Sequence, residues 1–192
     1  MLDFNIEESL SKLESPLREK VSAVEGIGTI EDLDAPIAKR IQVNEKSGKF
    51  SENPTIEGVS SWIKEINPNY DPFDIESPYN VNCGACAFVV YQRLNGNDAT
   101  CASANNIPFD ADMEELLDRK IVSMSPDEIE KRLLDGGDGA HAVIGVDRSN
   151  GPGHWFNAAC IDGKVVAIDG QSGEVLDWPP DYGDVVNWEM SV

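Results

Sequence analysis

The sequence has few of the residues that anchor a metal or staple a small domain. Two histidines and four cysteines (Cys83, Cys86, Cys101 and Cys160) are spread over 192 residues. A zinc site wants four ligands, usually two Cys-x-x-Cys pairs or one such pair with two spaced histidines. Only Cys83 and Cys86 form a pair, while His141 and His154 stand alone, so neither a metal nor a cofactor is expected. Four irregularly spaced thiols are also too few for a disulfide framework, and a chain of this length can bury a core without one. They read as reduced thiols in a cytosolic setting. Long apolar runs are missing: none approaches the roughly 20 residues that a membrane helix needs. The opening segment, MLDFNIEESLSKLESPLREK, lacks the basic-then-apolar order of a Sec signal, so export would need a dedicated apparatus. Basic residues are scarce, 15 against 35 acids for a net charge of −20. That field repels phosphate backbones and anionic membranes, so neither nucleic acid nor a membrane is an expected partner. Most of the acids read as a solvated surface, with a basic protein partner left open.

What is present begins with a hydrophobic content of 41%, which excludes wholesale disorder. Residues 1–66 read as a helical and linker segment. Leu10, Leu13, Leu17 and Val21 recur at helical spacing with Pro16 interrupting, and residues 28–55 read as loop. Between Pro54 and Pro68 a short helix is expected, with Ile56, Val59, Trp62, Ile63 and Ile66 on or near one face. A turn-rich link follows. CGACAFVVYQRLNG, from Cys83, reads as a buried central helix with Asn82 as N-cap and Asn95-Gly96 as its end. Ser125, Pro126 and Glu128 open a second helix through a capping box, with Gly136 as its stop. From Ala140 the pattern turns to strands: AHAVIGV, HWFNAACI, a tight Asp162-Gly163 turn, KVVAID and finally DVVNWEM. Helices first and an antiparallel sheet second make the fold class α+β.

The Cys-x-x-Cys pair has three chemical readings. Zinc fails on ligand count. A thioredoxin-type dithiol needs a buried strand leading into the helix, and YDPFDIESPYNVN is broken by two prolines. A nucleophile needs a thiolate at a helix start, a histidine base and a group that orients the base. The hairpin supplies the last two. With Asp162 and Gly163 as its central residues, His154 falls opposite Gln171, and Asp169 lies diagonal to His154 on the same face, about 7 to 8 Å away along the backbone. A one-residue change in the loop would turn Asp169 to the other face. His141, mid-strand and without such a partner, reads as structural, and Cys101 and Cys160 as core thiols.

Three blocks, N-C-x-x-C before a helix, G-H-x-F-N opening a strand and D-x-Q-S-G closing the hairpin, resemble the papain-fold toxins of bacterial polymorphic toxin systems. The match runs from about Asn67 to the C-terminus, so residues 67–192 are expected to form a papain-like catalytic domain: a helix carrying the cysteine packed on an antiparallel sheet carrying His and Asp. The resemblance implies deamidation of a glutamine in a target protein by a triad of Cys83 or Cys86, His154 and Asp169, with Gln171 beside it. Capping favours Cys83 as the exposed first residue of the helix. The order C-G-A-C-A-F resembles papain's own motif, whose second cysteine attacks, and keeps Cys86 as the alternative. Backbone N–H groups, with Asn80 or Asn82, are expected to hold the oxyanion. The resemblance further implies secretion by a dedicated system, action in a target-cell cytoplasm and a cognate immunity protein as a possible partner. The same triad would serve a papain-like cysteine protease or a transglutaminase. A non-catalytic or dithiol redox module is the remaining alternative.

Overall fold

A strand with one wet face alternates apolar and polar residues, whereas His154–Ile161 is buried at all eight positions, so both faces of its sheet are covered. The computed structural model describes residues 43–46 and 49–192; the helix expected around Leu10 to Val21 lies outside them. In chain order the elements are β1 (Val43–Lys46), α1 (Ile56–Trp62), α2 (Cys83–Leu94), β2 (Asn97–Ala99), α3 (Asp110–Leu117), β3 (Ile121–Ser123), α4 (Pro126–Gly136), β4 (His141–Arg148), β5 (His154–Ile161), β6 (Lys164–Asp169), β7 (Glu174–Asp177) and β8 (Val185–Ser191). Six strands form one antiparallel sheet in the order β3-β8-β4-β5-β6-β7, while β1 and β2 pair separately. Strand β1 therefore interrupts the stretch expected to be loop. The architecture is the α+β arrangement anticipated from the element order.

Helix α2 buries every residue except Cys83 and Gln92. It packs on one face of the sheet against Val143, Trp155, Ala159, Ile161, Val166 and Ile168. Helix α4 covers the other face, setting Ile129 and Leu133 against Ala142, Ile144, Phe156 and Ala158. Each fully buried aliphatic side chain contributes about 1.5–3 kcal/mol, and such residues on both faces fix the sheet between the two helices. Arg93, buried in α2, is held by Glu65 at 3.1 Å and by the Ala99 carbonyl at 3.2 Å, with Phe50 and Trp62 against its guanidinium.

Helix α1 is capped by Thr55, whose Oγ1 accepts from Gly58 N. Val59, Ile63 and Ile66 enter the same core as α2, so that core draws on residues ahead of position 67. Ile56 faces outward, against its expected place on the apolar face. Helix α4 has the expected capping box between Ser125 and Glu128, but it retains Gly136 and stops at Gly137, whose φ of 77° suits glycine.

The Asp162-Gly163 turn has positive φ at both residues, 52° and 70°, the backbone of a two-residue hairpin. The ladder runs from Ile161 opposite Lys164 to Asn157 opposite Ile168. That register continues to Phe156 opposite Asp169 and leaves His154 diagonal to Asp169. Gln171 departs from expectation: β6 ends at Asp169, which pairs onward with Glu174 of β7, and Gln171 sits in the intervening turn.

Candidate active site

The site forms where the start of α2 meets the start of β5 and the end of β6. The segment before Cys83 is a 3-10 turn, Pro78–Asn80, rather than a strand. Asn82 occupies the N-cap, but its side chain makes no capping bond. Fully buried, it donates to the Ser103 carbonyl at 2.9 Å and to Asn67 Oδ1 at 3.4 Å, and its Oδ1 accepts from Asn67 Nδ2 and Gln171 Nε2. Asn80 donates to the carbonyls of Asp71 and Asp74. The carboxamides expected to help an oxyanion are thus engaged elsewhere: Asn82 braces the helix start and Asn80 closes the preceding loop. Gln171 joins this bracing web through its side chain on Asn82 and its carbonyl, which accepts from Asn67.

The two thiols differ in environment. Cys83, the first residue of α2, is half-buried, whereas Cys86 is fully buried one turn on, its Sγ–H directed at Asn82 Oδ1 at 3.4 Å. Burial, reinforced by the neighbouring Cys83 and Asp169, pushes the Cys86 thiol well above its ordinary pKa. Cys86 is therefore held as a neutral thiol, while Cys83 stands at the positive end of the helix dipole. Of the other cysteines Cys160 is buried, but Cys101 is exposed, contrary to its reading as a core thiol.

His154 and Asp169 meet across the hairpin, Nε2 to Oδ2 at 2.8 Å, both about nine-tenths buried or more. Burial alone would lower the imidazole pKa. Hydrogen bonds to Asp169 and Cys83, with the charges of both, outweigh it and raise His154 to about 9. Burial likewise opposes ionisation of Asp169, but the hydrogen bond from His154 and its charge bring that pKa below the ordinary carboxylate value. With Nε2 committed to Asp169, Nδ1 is the nitrogen left for Cys83.

Four donors converge on Asp169. Besides His154, Tyr182 Oη donates to Oδ2 at 2.9 Å, and the Gln171 and Ser172 N–H groups donate to Oδ1 at 2.9 and 3.3 Å. Tyr182 also packs edge-on against the imidazole, with ring centroids 4.8 Å apart. Its own pKa is driven up by burial and by the charge of Asp169, so it remains a donor. Nothing local in the sequence marks Tyr182, which reaches the site from the loop ahead of β8. His141, by contrast, bonds the Gly139 carbonyl at 2.8 Å through Nδ1 and lies edge-on to Tyr91.

Cys83 and His154 open together into a cleft of about 160 Å³, bordered also by Asn106, Asp110, Asp147 and Glu189. One wall is the loop through Asn106 and Ile107, drawn tight over the helix start. A Cβ on Gly84 would lie 2.3 Å from the Ile107 carbonyl oxygen, which explains glycine beside Cys83. Asn106 turns its Oδ1 to the Ile107 N–H at 2.9 Å. Sequence reasoning missed Asn106, which lies in a loop without periodic pattern.

A buried cysteine-bearing helix packed on an antiparallel sheet that carries a His–Asp pair is the papain-like α+β fold. Residues 81–174 match the family model for papain fold toxin 1, glutamine deamidase, and over those residues the resemblance drawn from the three motif blocks is borne out. Among solved structures, a variant of the Salmonella effector SpvD (G161) superposes with a TM-score of 0.51 at 17% identity, over 92% of this chain and 98% of its own. At that identity the likeness concerns the fold. No curated protein matches the chain.

Proposed function

We propose that this protein is a toxin or effector that converts a glutamine side chain of a target protein to glutamate, releasing ammonia, with Cys83 as nucleophile, His154 as proton carrier and Asp169 as the group that orients it. The observation that carries the reading is the cleft shared by Cys83 and His154, with Asp169 behind the imidazole, within the stretch matched to the deamidase family. His154 takes the Cys83 proton at Nδ1, and the thiolate attacks the carboxamide carbon. The free N–H groups of the first turn of α2 face the developing oxyanion, since helix-start donors lack intrahelical partners. Asn106 is the side-chain donor proposed to join them, in place of Asn80 and Asn82. The imidazolium protonates the departing nitrogen, which leaves as ammonia and yields a thioester. Water, giving its proton to His154, then hydrolyses the thioester to glutamate and free Cys83. The match to the deamidase family is what favours deamidation over peptide-bond cleavage, since the triad itself would serve either. The toxin-family match supports secretion by a dedicated apparatus and action inside a target cell, where an immunity protein is a further proposed partner.

The test is mass spectrometry of bacterial and eukaryotic lysates incubated with wild type, Cys83→Ala, Cys86→Ala or His154→Ala. Glutamate at former glutamine sites, lost with Cys83→Ala and His154→Ala but retained with Cys86→Ala, is the expected outcome. New peptide termini with the same dependence would make the protein a protease, and loss in Cys86→Ala alone would reassign the nucleophile.

A further inference from the structure

The cleft that holds Cys83 and His154 has an unbalanced rim. Asp110 comes from the first position of α3, Asp147 from β4 and Glu189 from β8, three elements distant in sequence that the fold sets around one opening. Among the described residues no lysine or arginine lines it, and none of the three acids is in an ion pair. Asp147 and Glu189 share one neutral donor, Asn187 Nδ2, at 3.2 and 3.0 Å. The acids sense one another: burial raises the Glu189 pKa, and the charges of Asp110 and Asp147 raise it further. The opening is marked as a site on independent grounds by His154, which is only 9% exposed and faces it with Cys83.

Like charges gathered at a partly buried opening repel, and a cation placed among them relieves the repulsion. We infer that Asp110, Asp147 and Glu189 form a specificity rim that selects a glutamine flanked by lysine or arginine, so that the substrate is a basic segment of the target protein. The inference rests on the deamidase reading of the site and specifies its substrate class. The chain's net charge of −20 attracts such a segment from a distance, and the rim chooses which of its glutamines reaches Cys83.

Peptides carrying one glutamine between lysines, between alanines or between glutamates are titrated against Cys83→Ala protein by fluorescence anisotropy at low and high salt. The lysine-flanked peptide is expected to bind on the order of ten-fold more tightly than the alanine peptide at low salt, with the glutamate peptide weakest and the spread shrinking at high salt. Adding Asp147→Asn and Glu189→Gln should compress the spread. Removing like charges relieves strain in the folded state, so this variant should fold, as its thermal melt would show. Equal binding of all three peptides, binding of none, or a spread unchanged in the rim variant overturns the inference. Ammonia release by wild-type protein on the same peptides separates the two levels. New peptide termini without ammonia sink the deamidase reading but not a measured binding preference, whereas deamidation indifferent to the flanks sinks the rim.

Discussion

Asp169 receives four hydrogen bonds, and each fixes the carboxylate that in turn holds His154. Tyr182→Phe removes one donor without changing shape. It should lower kcat by about ten-fold with KM nearly unchanged, at a stability cost of about 1 kcal/mol; steady-state ammonia release and a urea melt would check both. The titration of His154 gives a second expectation. An imidazolium that gains partners contributes stability fully below its ordinary pKa of 6.5, and the contribution is lost as pH rises through about 9. Asp169, lowered instead, loses its contribution as pH falls through its depressed pKa. Activity that needs the imidazolium to protonate the departing amide nitrogen should hold through neutrality and decline above about pH 9. In Asp169→Asn that decline should move down toward 6.5, because the carboxylate's hydrogen bond and charge are main causes of the elevation. A pH profile of kcat/KM for the two proteins tests the sign; a decline that stays in place would remove Asp169 from the role proposed for it.

Among the elements, the start of α2 is the most constrained. The loop through Ile107 crosses it where only Gly84 allows the approach. Gly84→Ala should destabilise by about 1–3 kcal/mol through overpacking. It should also cost more activity than stability, because the displaced loop carries Asn106 at the edge of the cleft. Denaturant midpoints beside kcat separate these effects, and wild-type activity in a folded Gly84→Ala protein would show that the close approach is incidental. The elements also differ in how far their sequences revealed them. Helix α4 and the β5–β6 hairpin were legible because a capping box and an Asp-Gly turn are local codes, each satisfied by residues within a few positions. Helix α3 and strands β1, β2, β3 and β7 were not foreseen. They are short, and α3 shows only Met113 and Leu117 buried, too little periodicity to stand out.

At the scale of the whole molecule, charge opposes compactness. An excess of 20 negative charges raises the energy of the folded state through self-repulsion, and salt screens that repulsion. The melting temperature should therefore rise as ionic strength goes from about 20 mM to about 200 mM, where the screening length falls to roughly 7 Å. Calorimetry at fixed pH checks this, and a flat response would show the acids to be too widely spaced to matter. Core formation is also a property of the whole: Val59, Ile63 and Ile66, ahead of the matched stretch, pack with α2. Val59→Ala should cost about 2 kcal/mol or more even though it is far from Cys83 in sequence.

By itself the sequence determined the α+β order, the buried helix behind Cys83, the hairpin register and the pairing of His154 with Asp169. All of these follow from periodicities of two and 3.6 residues and from one tight turn, which act over short spans of chain. Tertiary structure decided what depends on separate elements arriving at one place. It committed Asn80 and Asn82 to bracing, brought Tyr182 to Asp169 and moved Gln171 into a turn. It also ringed the cleft with acids from α3, β4 and β8. A side chain's hydrogen-bond partner and its desolvation are set by neighbours distant along the chain, and no local pattern carries that information.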